Sequence, residues 1–215
     1  MKMKKNMMKA ATLCGIVGLI AIGGTAAYLT DYDTAVNEFT VGKVDIDLDE
    51  PSWTPDEHVD IEPTEEIEKD PQITNTGVND SFVYLEVSIP MAEVITADAE
   101  GNRIDKKLTE LFSYTKSADW TQLESKTLNR NKVYTNCYNK VLKPKETTTP
   151  LFETVTFANI IEGQLDTAHL EIPIRAYAIQ TVNTGGDTGT IVQQATTAFQ
   201  KYVKQNLGQG GAVSA

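Results

Sequence analysis

The sequence predicts a mainly β fold: a β-sandwich with a short inserted helix and one further helix at its C-terminal end. Two observations carry that prediction. Short runs of alternating apolar residues recur between clusters of Gly, Pro and Asn, and the period lengthens to that of an amphipathic helix only near the C-terminus. No unit of roughly 20–50 residues repeats, which weighs against a solenoid or a propeller.

Val44-Asp45-Ile46-Asp47-Leu48-Asp49 alternates strictly, placing Val44, Ile46 and Leu48 on one face and three aspartates on the other. Residues 50–71 hold four prolines among many acids and read as an extended connection, with one short strand near Val59–Ile61. The clearest strand is Ser81–Pro90, where Val83, Leu85, Val87 and Ile89 share a face and Pro90 is expected to end the pairing. Asp105–Phe112 carries Leu108, Leu111 and Phe112 at helical spacing behind a capping Asp105, so a short helix is expected there. Further strands are expected at Phe112–Thr115, Trp120–Leu123, Lys132–Tyr138, Leu151–Phe157 and Leu170–Gln180. After Gly185-Gly186, Thr190 and Gln193 form a capping box, and Ile191, Ala195, Ala198, Phe199, Tyr202 and Val203 repeat at helical spacing until Gly208. Residues 208–215 have nothing to bury and read as a flexible tail.

The 215 residues are 40% hydrophobic and 23% charged, a globular composition with ample length for a core. With 19 basic against 30 acidic residues the formal charge is −11, which argues against nucleic acid as a partner, since that needs a cationic face. Residues 1–9 carry four lysines and no acid, residues 10–22 are apolar and uncharged, and Gly-Gly-Thr-Ala-Ala follows at 23–27. This is the pattern of a secretory signal peptide. The apolar run covers about 20 Å as a helix, short of a ~30 Å bilayer core; with the Gly-Gly-Thr-Ala-Ala tail it just reaches spanning length, so an uncleaved anchor is the alternative. Thr25 and Ala27 suit the −3 and −1 positions, so the mature chain is expected to start at Tyr28, with cleavage after Ala26 as the near alternative. Removing residues 1–27 takes four basic residues and no acidic ones, leaving a product near −15. Of the two cysteines, Cys14 lies inside the signal, so the exported chain keeps Cys137 alone and has no internal disulfide.

Chemical motifs are sparse. His58 and His169 are far apart in sequence and fit no zinc-protease helix, which needs two imidazoles one turn apart; two isolated surface histidines are expected. Asp45, Asp47 and Asp49 resemble the start of a calcium loop, yet Pro51 intrudes and neither the glycine nor the glutamate of such a loop follows. Outward-facing strand residues explain the spacing more simply. No G-x-S-x-G elbow or Walker loop is present, and Cys137 sits in a strand-like run as a half-buried structural thiol. Catalytic, metal and cofactor residues are therefore assigned to none.

A family likeness is carried by Gly23-Gly24-Thr25-Ala26-Ala27-Tyr28-Leu29-Thr30-Asp31 and by Asn37-Glu38-Phe39-Thr40-Val41-Gly42-Lys43-Val44-Asp45-Ile46. It extends to Lys69-Asp70-Pro71-Gln72-Ile73-Thr74-Asn75-Thr76-Gly77, to Phe82-Val83-Tyr84-Leu85-Glu86-Val87 and to Arg175-Ala176-Tyr177-Ala178-Ile179-Gln180. In these stretches the chain resembles TasA/camelysin-family proteins with their SipW-type signal peptide. The resemblance implies a jelly-roll β-sandwich over residues 41–207, cleavage by a dedicated signal peptidase and a secreted, cell-surface location on a Gram-positive-type bacterium. It also implies a biofilm-matrix fibre subunit whose partners are further copies of itself and an accessory anchor protein. In fibre-forming relatives the mature N-terminal segment adds a strand to the next subunit. Here that segment is residues 28–40, with Tyr28, Thr30, Tyr32, Thr34 and Val36 along the candidate donor strand. Some members carry a metallo-endopeptidase label; lacking a zinc motif, this chain is expected to be no enzyme, with a camelysin-like surface protease and a monomeric adhesion module as the rival readings. N-terminal sequencing of secreted material is expected to read Tyr-Leu-Thr-Asp or Ala-Tyr-Leu-Thr; an intact Met1 on membrane-bound protein would revive the anchor.

Overall fold

Ten strands and one helix follow one another along the described residues: β1 (Ile46–Asp49), β2 (Glu66–Glu68), β3 (Gln72–Asn75), β4 (Ser81–Ala97), β5 (Arg103–Glu110), β6 (Phe112–Ser113), β7 (Trp120–Leu128), β8 (Asn131–Tyr138), β9 (Thr154–Phe157), β10 (Ile174–Gln180) and α1 (Ile191–Leu207). The computed structural model describes residues 44–54, 61–161, 163–165, 170–184 and 188–207. Every strand pair is antiparallel, and the architecture is that of a β-sandwich.

The first layer runs in the order β10-β4-β8-β7. The second is built from β1, β3, β2, β9 and β6, and its two ladders are joined into one by the backbone. Phe157 N–H donates to Glu65 O and Thr64 N–H to Phe157 O, and Lys69 N–H donates to Glu153 O, Leu151 N–H to Pro71 O, Thr148 N–H to Ile73 O and Asn75 N–H to Glu146 O. Residues 64–75 and 145–157 thus pair along their whole length, with β1 outside one and β6 outside the other. Between the layers lie Val83, Leu85, Val87 and Ile89 of β4 against Ile46, Ile67, Ile73, Phe112, Phe152, Val155 and Phe157. The alternation read from β4 and β1 therefore places its apolar residues in the core.

The outward face of β4 is also buried. Phe82 and Tyr84 pack with Cys137 under Ala195, Ala198 and Phe199 of α1, and the Tyr84 hydroxyl donates to Ala195 O at 2.8 Å. The capping box holds at the helix start: Gln193 Oε1 accepts from Thr190 N–H at 2.8 Å and Thr190 Oγ1 from Gln193 N–H at 3.3 Å.

Three expectations are corrected. The helix expected at Asp105–Phe112 is the edge strand β5, hydrogen-bonded to the second half of β4. Of the three apolar residues only Leu108 lies in β5, where it is exposed, whereas Leu111 and Phe112 are buried past its end, so the helical spacing spans a strand and the bend after it rather than one helix face. Pro90 does not end β4. It sits where the partner changes: β8 pairs up to Pro90, β5 from Met91, and the Pro90 carbonyl accepts from Leu111 N–H. A proline lacks only the donor, so it is tolerated at such a switch. In the 50–71 connection the strand falls at Glu66–Glu68; Val59 lies outside the described residues and Ile61 is in no strand.

β7 runs on to Leu128, past the Leu123 expected, and turns into β8 through Asn129 and Arg130 at φ 48° and 62°. Two consecutive left-handed residues make the two-residue turn whose twist matches a hairpin.

Asn75 is fully buried on β3 and ties three segments together. Its Nδ2 donates to Leu142 O and Asn79 O, and its Oδ1 accepts from Gly77 N–H. Asn75→Ala strands these groups, each costing roughly 1–3 kcal/mol when left unpaired; a loss of about 3 kcal/mol or more in urea unfolding is the expected result.

Candidate functional site

The residues singled out in the sequence fall largely outside the described residues. This holds for Thr25, Ala27 and Tyr28 at the cleavage position, for Thr30, Tyr32, Thr34 and Val36 of the donor segment, and for His58 and His169. Asp47 and Asp49 stand on the exposed face of β1, and the Asp49 carboxylate accepts from Glu50 N–H at 2.9 Å, which closes the turn after the strand. Cys137 is fully buried between β4 and α1, and burial pushes its thiol up to about 11, so the reactive thiolate is absent at neutral pH.

No three His, Cys, Asp or Glu side chains come together among the described residues as a metal would require. The donor set of a catalytic zinc is not found in that part of the chain.

Two buried charged residues do stand out. Lys69 and Asp70 lie at the β2–β3 junction, each less than 9% exposed. The Lys69 ammonium is 2.8 Å from Glu50 Oε2 and 4.6 Å from the centre of the Trp53 ring. Beside it, the Asp70 carboxylate accepts from Ser52 N–H at 2.8 Å and Ser52 Oγ at 3.0 Å. Together they pin the turn that follows β1 onto the second layer. Desolvation raises the Glu50 pKa above 4.5, with the Lys69 charge pulling the other way. This cluster is not legible in the sequence, where Glu50, Lys69 and Asp70 read as members of a solvated acidic connection. Lys69→Met leaves Glu50 buried without its cation, and removing one partner of such a pair costs about 3–5 kcal/mol. Glu50 is neutral in both states below pH 4.5, so the deficit of the variant is expected to be small there and to grow as pH rises through the elevated folded pKa. Denaturant unfolding of both proteins at pH 4 and pH 7 checks the sign.

The sheet edges are the other candidate. β10 lies beside β1 on one flank of the sandwich, whereas β7 at the far end of the same layer forms a ladder only with β8 among the described residues. Ser125, Lys126, Thr127 and Leu128 of β7 are all exposed. β5 is likewise an edge, and five of its eight residues are charged.

A family model described as camelysin metallo-endopeptidase matches residues 2–172, which takes in β1 to β9 and stops short of β10 and α1. Comparison with curated proteins and with solved structures returned no match. The match spans well over half of the chain, and the motifs quoted from the N-terminus and from β3 and β4 fall inside it; the chain belongs to the TasA/camelysin family.

Proposed function

We propose that the mature chain is an exported structural subunit that polymerises head to tail into an extracellular surface or biofilm-matrix fibre, with residues 28–40 as the donor strand. The observation that carries this reading is the outer edge of β7, which has no pairing partner among the described residues. An unpaired edge is a template for a further strand. The sequence ahead of β1 supplies a segment with Tyr28, Tyr32 and Val36 at even spacing. Phe39 breaks that alternation, and Asp31 and Asp33 face water when the tyrosines point inward. A head-to-tail contact does not close on itself, so an open filament follows. Assembly also stabilises a chain that has no disulfide to rely on.

The printed description of the family favours a second reading, a surface metallo-endopeptidase. Casein cleavage by purified mature protein, abolished by EDTA, would support it. The fibre reading is tested by negative-stain microscopy of the mature protein beside a version starting at Val41. The mature protein is expected to form filaments and the shortened one none; normal filaments from the shortened protein would overturn the donor-strand role, and single particles from both would favour an adhesion module.

A further inference from the structure

Lys69 and Glu50 are placed for more than an ion pair. Ammonium and carboxylate meet at 2.8 Å with side chains only 7% and 16% exposed, beside the Trp53 ring, whose centre lies 4.6 Å from Lys69 Nζ. We propose that in the folded chain this amine and this acid condense to an amide, a covalent Glu50–Lys69 cross-link within the domain. The bond does not depend on whether the chain polymerises.

Three features set this pair apart from an exposed salt bridge. Glu50 Oε2 takes the ammonium, whereas Oε1 is buried and meets no hydrogen-bond donor among the described residues, so the anion is held through one oxygen. The charges of Asp70 and Asp49 bear on the same group and, with burial, raise its affinity for a proton. A proton passing from the ammonium to Glu50 replaces two costly buried charges by a neutral amine and a neutral acid, which is the pair that reacts. The backbone on both sides is also fixed. Ser52 N–H and Oγ bond to Asp70 at 2.8 and 3.0 Å, and Lys69 N–H donates to Glu153 O.

The Nζ lone pair attacks the Glu50 carboxyl carbon, a proton passes from nitrogen to one carboxyl oxygen, and that carbon–oxygen bond breaks to release water. The other oxygen stays as the amide carbonyl. Ammonium plus carboxylate thus gives amide plus water, with no oxidant, reductant or cofactor. Holding the groups in contact supplies an effective molarity on the order of 10⁵ M or more, and exclusion of solvent opposes the reverse step. The ion pair described above is the reactant, so freshly folded protein carries the ion pair and aged protein the amide. The link joins the end of β1 to the β2–β3 junction. β1 is held to β3 by a four-residue ladder; tension on the chain ahead of it would pass from residue 50 straight to residue 69 and spare the connection and β2 between them.

The experiment follows the intact mass of the purified protein, on isolation and on standing, beside Lys69→Arg, which keeps the cation but cannot form the amide. The unmodified protein is expected to come to weigh one water less than its sequence, and Lys69→Arg to keep its sequence mass. Glu-C digestion with tandem mass spectrometry is expected to give a branched peptide joining Glu50 to Lys69, and trypsin to leave the Lys69–Asp70 bond uncut. Glu50→Ala is expected to abolish the loss as a second variant. Circular dichroism checks that both variants fold; should they not, the branched peptide from the unmodified chain decides. An intact mass that stays at the sequence value in folded protein would overturn the cross-link and leave the ion pair standing. A water loss that persists in Lys69→Arg, or that maps to other residues, would overturn it equally.

Discussion

Strand β4 is the constraint on which everything else rests. Its first half bonds to β10 on one side and β8 on the other, and its second half to β5. Past Pro90 it also reaches the second layer, where Ala97 N–H donates to Asn159 O and Ile161 N–H to Ile95 O. A single strand therefore closes one corner of the sandwich as well as forming the middle of the first layer. Both of its faces are buried over Ser81–Leu85, so each residue there meets either the inter-layer core or α1. A substitution anywhere in that stretch therefore lands in one core or the other, and packing at native density leaves little room to absorb it.

The outer core exists because of α1. Without the helix, Phe82, Tyr84 and Cys137 would form an apolar patch on the face of the sheet. With it, the Tyr84 ring lies 5.1 Å from Phe199 and its hydroxyl is satisfied by a helix carbonyl. The family match ends before this helix begins. Strands β1 to β9 fall within the matched family pattern, and β10 and the helix that covers the sheet follow it.

What could be read from the sequence follows how each strand is buried. β1, β4 and α1 were legible, since one stripe of each faces a core and the spacing of Ile46, of Val83 to Ile89 and of Ala195 to Phe199 records it. β7 was seen only as far as Leu123, because from Glu124 onward it has no buried side and its polar alternation carries no hydrophobic signal. β5 was mistaken for a helix, because exposed Leu108 was counted together with Leu111 and Phe112, which are buried past the end of the strand. The Glu50–Lys69–Trp53 cluster was invisible because burial of a charge depends on partners brought together by the fold, 19 residues apart here. The cleavage position and donor segment came from composition and family likeness, and lie outside the described residues.

The location of Cys137 has a consequence for its thiol chemistry. An accessible free thiol in an oxidising milieu is at risk of covalent pairing with whatever thiol it meets first. Here the sulfur is sealed beneath a helix and held in its protonated form, so exchange with an outside disulfide requires α1 to lift first. Thiols and disulfides in the surroundings are therefore decoupled from this domain as long as the helix stays docked.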